Sequence, residues 1–466
     1  MADPFEDIRA FIRAQLIQRS LPSLAVAVVR DGAIVWAEGF GWADREARRL
    51  ADEHTLYSIA SVTKPITATA LMTLVQAGKV DLDQPANDYL GAGKLAARVG
   101  DARQATVRTV ANHSSGLPLH YQFFYEDEPY ARPSMDESLL RYGNLVTAPG
   151  KRFQYSNLGY GVLDHIIARV SGLSFTEYLR REVFLPLGMT RSALGLTPAL
   201  APYAAVRYGV DQAPIPFYVT DHPGGSEVYA SAHDLARFCL FHLKAHLADQ
   251  RPILTDALID EMHRASVRND GGGYGIGFME EDRDGVRIVS HSGGMGGVAT
   301  NLQIFPEHGL AIVTLCNASD ALPFEVSEKL AALTLPGWQA RPTPAPTRPP
   351  PFAPPAALVG TWRGTLATYS GDVAVKLVVK PAGDVHARLG RQLTALVNHP
   401  RLEKGVFFGE LRARIGTPDT DRYAYSVHLA LKTSPTRMSG VAMAIGEPGP
   451  RVRNALSSWL ELAREA

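Results

Sequence analysis

A serine and a lysine three positions apart, Ser61 and Lys64, are the first residues in this chain whose spacing could support chemistry. They begin an apolar-periodic segment that predicts a helix ending near Gly78. Residues at i and i+3 share a helix face, so the lysine can reach the serine hydroxyl, and the helix N-terminus favours a developing alkoxide. Such a pair can activate a serine nucleophile without histidine. A lone Ser-x-x-Lys also arises readily by chance, so the prediction needs further motifs.

Two further polar motifs supply that support. Tyr155-Ser156-Asn157 precedes a helical pattern, and His291-Ser292-Gly293-Gly294 ends a predicted strand. In order and separation, the three motifs resemble the serine β-lactamase and penicillin-binding superfamily. The resemblance is most specific to class C β-lactamases and family VIII carboxylesterases, in which Ser-x-x-Lys is followed by Tyr-x-Asn and then Lys-Thr-Gly or a variant. It covers roughly residues 5–335 and includes segments 112–118, 224–225, 231–236 and 274–278.

The resemblance implies a role for each motif. Ser61 would attack a carbonyl to form an acyl-enzyme, and Lys64 and Tyr155 would share the removal of its proton. A tyrosine with an ordinary pKa near 10 is a poor base at neutral pH, so Tyr155 should lie close to a cation, for which Lys64 is the candidate. Asn157 would position the lysine and contact the substrate amide. The backbone N–H groups of Ser61 and Gly294, the latter on an expected edge strand, would form the oxyanion hole, and Ser292 and Gly293 would also contact substrate.

His291 departs from the class C pattern, which has lysine at this position. A histidine with an unperturbed pKa near 6.5 is only partly charged at neutral pH, so it would hold a substrate carboxylate less reliably. The departure therefore disfavours efficient β-lactam hydrolysis. If the positive charge of His291 matters, activity should fall as the pH rises through its titration.

The elements around these motifs predict an α+β fold with two lobes. Residues 24–30 and 33–40 predict a β-hairpin, and residues 287–291, 299–305 and 310–316 predict strands late in the same region. Strands from both ends of the region would share one antiparallel sheet, with a helical lobe packed beside it and a cleft between them. Residues 112–118 are interpreted mainly as a structural loop. The aromatic loop 121–130 could line the mouth of the cleft or pack on its own domain.

A proline-rich segment, residues 342–355, divides the chain. We predict a hydrolase domain over residues 1–338, a linker over 339–356 and a small antiparallel β-barrel domain over 357–466. Gly360-Thr-Trp362 resembles the opening of lipocalin-type barrels, and residues 451–466 predict a closing helix. The barrel could bind a ligand, cap the cleft or mediate assembly; the short linker favours the last two.

Composition excludes several partners. The 466 residues include 47 basic and 47 acidic side chains, so neither nucleic acid nor an anionic membrane is expected as a partner. No secretion signal or bilayer-length apolar run is evident, which predicts a cytoplasmic protein.

Cys239 and Cys316 lie in apolar runs typical of core thiols. His242 and His246 are interpreted as ordinary helix residues, and no metal or organic cofactor is expected.

The sequence thus predicts a serine hydrolase that cleaves small carboxylic esters or amides through a Ser61 acyl-enzyme. Alternatives on the same scaffold are a D-stereospecific peptidase or amidase, an acyltransferase and a weak β-lactamase. A different class of function, a ligand-binding module with a degenerate hydrolase domain, also remains open. The number of subunits, including a homo-oligomer, is not determined by the sequence.

Overall fold

The computed structural model of this protein describes residues 3–269, 271–339 and 351–465. Most of the predicted proline-rich linker, residues 340–350, lies outside the described residues. The helices are, in chain order, α1 (Glu6–Gln18), α2 (Thr63–Gln76), α3 (Ala86–Tyr89), α4 (Val107–Ala111), α5 (Met135–Tyr142), α6 (Asn157–Ser171), α7 (Phe175–Leu179), α8 (Pro223–Ser226), α9 (Ala232–His242), α10 (Asp256–His263) and α11 (Leu322–Thr334). No helix in these ranges combines the length and apolarity needed to cross a bilayer.

The strands before the linker form one large sheet and three small ones. They are β1 (Ser23–Arg30), β2 (Ala33–Asp44), β3 (Arg49–Leu50), β4 (Tyr57–Ser58), β5 (Ala96–Ala97), β6 (Phe123–Tyr125), β7 (Asn144–Leu145), β8 (Ala193–Leu194), β9 (Tyr218–Thr220), β10 (Val228–Ala230), β11 (Val267–Asn269), β12 (Gly272–Tyr274), β13 (Met279–Arg283), β14 (Val286–Met295), β15 (Val298–Phe305) and β16 (Leu310–Cys316). The large sheet has the order β11-β12-β13-β14-β15-β16-β1-β2-β3. Because β1 pairs antiparallel with β16, strands from both ends of the region share one sheet, as predicted.

The central strand β1 shows why this sheet needs cover on both faces. Its sequence SLAVAVVR is buried at every position except Arg30, and its alternate residues belong to two different cores. Ala25, Ala27 and Val29 pack in the core shared with the helical lobe. Leu24, Val26 and Val28 pack instead in the core that contains α1 and α11. The helical lobe therefore lies against one face of the sheet only, in agreement with the predicted α+β fold.

The chain after the linker folds as an antiparallel nine-stranded sheet. Its strands are β17 (Gly360–Thr368), β18 (Gly371–Val379), β19 (Val385–Leu389), β20 (Ala395–Leu396), β21 (Asn398–Glu403), β22 (Val406–Leu411), β23 (Tyr425–Thr433), β24 (Arg437–Gly446) and β25 (Ala455–Arg464). The order runs from β20 through β19, β18, β17, β25, β24, β23 and β22 to β21. Only Val397 separates the two end strands in sequence, so the sheet curls into a nearly closed barrel around a core that includes Trp362.

The predicted closing helix over residues 451–466 is wrong. Residues 455–464 form β25, which pairs with β17 on one side and β24 on the other. Leu460 and Leu462, two positions apart, both enter the barrel core, as the period of a strand requires. The hydrogen bonds to two neighbouring strands override the helical preference of the leucine-rich and alanine-rich sequence.

The barrel packs directly on the helical lobe through the 451–457 segment, which joins β24 to β25 and begins β25. Tyr121 and Ala455 form an isolated β-bridge. The Asn454 side chain accepts a hydrogen bond from the Phe123 backbone N–H at 2.9 Å. Tyr125 donates its hydroxyl proton to the Val452 carbonyl at 2.7 Å. The aromatic loop of the helical lobe thus docks on the barrel.

Candidate active site

Ser61 lies at the junction of the large sheet and the helical lobe. A 3-10 turn, Ala60–Val62, leads directly into α2 and places Ser61 at the helix N-terminus. The preceding Ala60 has a φ of 46°, a left-handed conformation that is strained for a residue with a side chain. This sharp turn exposes the Ser61 hydroxyl to a cavity while its backbone N–H remains at the positive end of the helix.

Lys64 is completely buried beneath Ser61. Its Nζ donates hydrogen bonds to Asn157 Oδ1 at 2.8 Å and to the Gly225 carbonyl at 2.9 Å, and it lies 3.0 Å from Ser61 Oγ. Burial lowers the pKa of Lys64 well below its ordinary value. A neutral amine has only two N–H donors and one lone pair. Because the amide oxygen of Asn157 and the carbonyl of Gly225 can only accept, they take both donors and direct the lone pair towards Ser61.

Asn157 has its orientation fixed by a second contact. The residue begins α6, and the Ser156 hydroxyl caps this helix by accepting a hydrogen bond from the Gly159 N–H. The Asn157 Nδ2 group donates to the His120 carbonyl at 3.0 Å. Since a carbonyl cannot donate, the amide nitrogen must face His120 and the amide oxygen must face Lys64. The structure therefore brings Asn157 to the lysine.

Tyr155 also lies next to Lys64, whose Nζ is 4.8 Å from the centre of the phenol ring. Burial raises the pKa of Tyr155 above its ordinary value, and the hydrogen bond to Ser61 offsets only part of this shift. The phenol consequently keeps its proton at neutral pH. A raised pKa favours the protonated phenol, which is the form that can donate a proton.

The sequence predicted that His291, which replaces the lysine of the class C pattern, would be partly charged. Its environment in the structure differs from this prediction. The imidazole is 1% exposed. Its Nδ1 donates to the Ser292 carbonyl at 2.7 Å, and its Nε2 accepts from the Tyr274 hydroxyl at 2.9 Å. Burial is the main cause that lowers the pKa of His291 to about 3. The ring is thus neutral at physiological pH, and it holds Tyr274.

The segment Ser292–Gly294 brings β14 alongside Ser61. β13 pairs with β14 only up to Ser290, so this segment has a free edge even though β14 is an interior strand of the sheet. A Cβ on Gly293 would lie 2.4 Å from the Ile59 carbonyl oxygen and 3.0 Å from the Ser61 nitrogen. The absence of a side chain therefore permits the strand to approach the nucleophile. Gly294 lines the same cavity as Ser61.

The cavity beside Ser61 has a volume of about 270 Å³. None of the described residues that line it is Asp, Glu, Lys or Arg, and its lining combines polar and apolar side chains. The lining residues are Ser61, Leu119, Tyr121, Phe123, Tyr155, Asn157, His222, Ser226, Gly294, Met295 and Val452. Tyr121 and Phe123 belong to the aromatic loop 121–130, for which the sequence left open a position at the cleft mouth or packing on its own domain. Val452 comes from the barrel, which therefore contributes to the wall of this cavity.

Several neighbours of the site were not predicted from the sequence. Tyr274 lies in a motif that contributed to the resemblance, but its contact with His291 had no sequence signal. The His113 ring lies 4.3 Å from that of Tyr155, and its Nδ1 accepts a hydrogen bond from the Ser156 N–H. The segment 112–118, interpreted mainly as a structural loop, thus also packs against the 155–157 motif.

Two groups of histidines bear on metal binding. His120, Asp221 and His222 present ligand atoms within 4.8 Å of one another and are the one such group among the described residues. Both oxygens of Asp221 already accept hydrogen bonds from imidazole N–H groups, at 2.6 and 2.8 Å. His242 instead contacts Thr69 and His263, each at 3.1 Å.

Comparison with known proteins bears on the family and the fold of this chain. A family model described as beta-lactamase matches residues 8–335. The unguisins hydrolase ungD' of Aspergillus campestris is 26% identical over 338 residues, covering 68% of this chain and 62% of that protein. A penicillin-binding protein of Bacillus subtilis is 26% identical over 339 residues, covering 64% of this chain and 69% of the relative. Protein flp of Staphylococcus aureus is 24% identical over 327 residues, or 68% of this chain and 63% of flp. The chain thus spans less than two thirds of the ungD' and flp sequences.

Solved structures show the same fold over a larger part of the chain. An octameric penicillin-binding protein homologue from Pyrococcus abyssi has a TM-score of 0.62 and 23% identity, and covers 97% of this chain and 99% of its own. SurE has a TM-score of 0.66 and 22% identity, and covers 99% of both chains. A class C beta-lactamase has a TM-score of 0.62 and 18% identity, covering 73% of this chain and 97% of its own. Since the family model matches residues 8–335, which make up more than half of the sequence and include Ser61 and Lys64, the chain belongs to the beta-lactamase family.

Proposed function

We propose that this protein hydrolyses small, uncharged carboxylic esters or amides through an acyl-enzyme on Ser61. The observation that carries the proposal is the set of contacts around Lys64. Two oxygens that can only accept hold both N–H groups of the neutral amine, and the third contact is the Ser61 hydroxyl. A buried amine with a lowered pKa and a lone pair facing a hydroxyl has the features of a general base.

In the proposed acylation step, Lys64 takes the hydroxyl proton as Ser61 Oγ forms a bond to the substrate carbonyl carbon. The carbonyl electron pair moves to oxygen, where the backbone N–H groups of Ser61 and Gly294 stabilise the charge. When the tetrahedral intermediate collapses, the bond to the leaving group breaks. The leaving group receives a proton from Tyr155, which is replenished by the Lys64 ammonium. In deacylation, Lys64 takes a proton from a water molecule as the water oxygen forms a bond to the acyl carbonyl carbon. The bond between this carbon and Ser61 Oγ then breaks, Ser61 regains a proton from the Lys64 ammonium, and the carboxylic acid leaves.

The cavity favours an uncharged, apolar acyl or leaving group. Its lining combines Leu119, Phe123 and Met295 from the hydrolase region with Val452 from the barrel. The neutral His291 offers no cation for a substrate carboxylate. These features favour a simple ester over a β-lactam, whose carboxylate is usually held by a cationic side chain in such enzymes.

Amide hydrolysis with D-stereospecificity is the second candidate. It is favoured by the similarity to SurE, one structure of which contains D-Leu. The ligand-binding alternative has less support, because the barrel interior is filled by packed apolar side chains and retains a cavity of only about 10 Å³. A space of that size holds at most one water molecule. We therefore assign the barrel the role of a wall of the cleft.

The proposal is tested with p-nitrophenyl esters of graded acyl length, D- and L-amino-acid p-nitroanilides, and nitrocefin. We expect turnover of short apolar esters, weak or no turnover of nitrocefin, and a covalent acyl adduct in the intact mass. The Ser61→Ala variant should lose both turnover and adduct. Preference for D-anilides over all esters would favour the peptidase. No adduct and no turnover with any substrate would refute the proposal.

A further inference from the structure

A buried cluster of His120, Asp221 and His222 has no role in the chemistry described above. Asp221 follows β9, and its side chain is completely buried. Its Oδ2 accepts a hydrogen bond from His120 Nε2 at 2.6 Å, and its Oδ1 accepts one from His222 Nδ1 at 2.8 Å. One carboxylate thus joins two imidazoles from segments about a hundred residues apart in sequence.

Each histidine also accepts, through its backbone carbonyl, a hydrogen bond from a residue that provides an acceptor for Lys64. The His120 carbonyl accepts the Asn157 Nδ2 group at 3.0 Å, which orients the amide oxygen towards the lysine. On the other side, the His222 carbonyl accepts the Gly225 N–H at 2.9 Å, and the Gly225 carbonyl accepts from Lys64 Nζ. Both contacts that orient the lysine are therefore connected to Asp221 through one histidine each.

Stability alone does not account for this cluster. Burying a carboxylate is costly, and well-packed apolar residues usually stabilise a core at least as well as a buried charged network. Each imidazole donates to a different oxygen of Asp221, and the Ser138 hydroxyl donates a longer hydrogen bond to Asp221 Oδ2 at 3.4 Å. His120 Nδ1 is buried with no hydrogen-bond partner among the described residues, so Asp221 provides the hydrogen bond that orients this ring.

We propose that Asp221 is a positioning residue that, by holding His120 and His222, fixes the two acceptors that aim Lys64 at Ser61. This inference rests on the proposed function, in which Lys64 is the general base. His120 and Asp221 do not touch the reacting atoms, whereas His222 lines the cavity. His120 does not line the cavity, so its substitution separates positioning from direct contact with substrate.

The geometry specifies which substitutions should preserve the contacts. His120 donates through Nε2, a position that the side-chain amide of glutamine can approach, whereas His222 donates through Nδ1, which asparagine can approach. His120→Gln should therefore retain most activity. His120→Leu, His222→Leu and Asp221→Asn should each lower kcat by about 10- to 100-fold, the cost of misplacing a catalytic group by about 1 Å. For the His120 variants, KM should change less than threefold.

Asp234→Asn is the matched control. Asp234 is also a buried carboxylate, and it accepts hydrogen bonds from the Arg191 N–H at 3.1 Å and the Ser192 hydroxyl at 2.9 Å, away from the contacts of Lys64. Its substitution should lower the melting temperature while leaving kcat per folded molecule within about threefold of the wild-type value. The assays are ester turnover and the rate of Ser61 labelling by a fluorophosphonate, with the folded fraction measured by circular dichroism.

The outcomes separate the two proposals. Wild-type protein that neither reacts with the fluorophosphonate nor turns over ester refutes the proposed function. Active wild-type protein with an equally active His120→Leu variant refutes the positioning role of Asp221. Equal losses in His120→Leu and His120→Gln also refute it, because the donor would then have no effect. If Asp221→Asn does not fold, the His120 pair still decides the question.

Discussion

Replacing Gly293 by alanine tests whether the close approach of β14 to Ser61 is required for catalysis. The added Cβ would lie 2.4 Å from the backbone oxygen of Ile59 and 2.4 Å from Thr300 Oγ1. Thr300 can rotate its hydroxyl, but the Ile59 carbonyl is fixed because it accepts the Val62 N–H at 3.1 Å. An ordinary C···O contact is about 3.3 Å or longer, so the strand must retreat from Ser61 by about 1 Å.

A displacement of this size separates the two N–H groups of the proposed oxyanion hole. Misplacing a catalytic group by about 1 Å costs roughly 100-fold in rate, or about 2.7 kcal/mol of transition-state stabilisation. We therefore expect kcat/KM of Gly293→Ala for a short p-nitrophenyl ester to fall by about 10- to 100-fold. Overpacking should also reduce the free energy of unfolding by about 1–3 kcal/mol.

The neighbouring residue provides the control. A Cβ on Gly294 would meet nothing closer than the Val298 carbonyl oxygen at 4.0 Å, so Gly294→Ala adds the same methyl group without displacing the strand. It also retains the backbone N–H. Rates are measured at 25 °C and normalised to the folded protein. If Gly293→Ala retains activity within threefold of Gly294→Ala, the close approach of β14 does not serve catalysis and our reasoning is wrong.

Three further predictions follow from the site and its surroundings. Lys64→Met should reduce the rate of Ser61 acylation by at least about 1000-fold while the protein remains folded, as measured by fluorophosphonate labelling and circular dichroism. Val452→Trp should shorten the longest p-nitrophenyl ester that is hydrolysed, because the larger side chain fills part of the cavity; an unchanged chain-length profile would exclude Val452 from the substrate wall. His291 and His263, whose pKa values burial lowers to about 3, stay neutral in the folded state. Titration of His291 should therefore cause no change in activity between about pH 5 and 8. The free energy of unfolding should decrease as the pH falls below about 6.5, because these histidines then protonate only in the unfolded chain. The decrease should be up to about 1.4 kcal/mol per histidine per pH unit. Urea titrations from about pH 7 to 4 that show constant stability would contradict this last prediction.

The sequence was informative wherever the relevant contacts are local. The three-residue spacing of Ser61 and Lys64 on a helix, the hairpin of β1 and β2 and the barrel strands all follow from periodicity over a few residues. The family resemblance added the long-range association of these motifs. The same local reasoning failed for β25, because its helical pattern was overridden by pairing with two strands that are distant in sequence.

The tertiary structure decided the properties that depend on burial and on distant partners. Lys64 meets its two acceptors 93 and 161 residues away, and no spacing rule relates such positions. His291 is a titratable residue in the sequence, but the folded protein buries it and keeps it neutral. The sequence by itself determined which residues could take part in catalysis. Only the packed structure set their protonation and orientation, because desolvation and hydrogen-bond geometry arise when distant segments exclude water together.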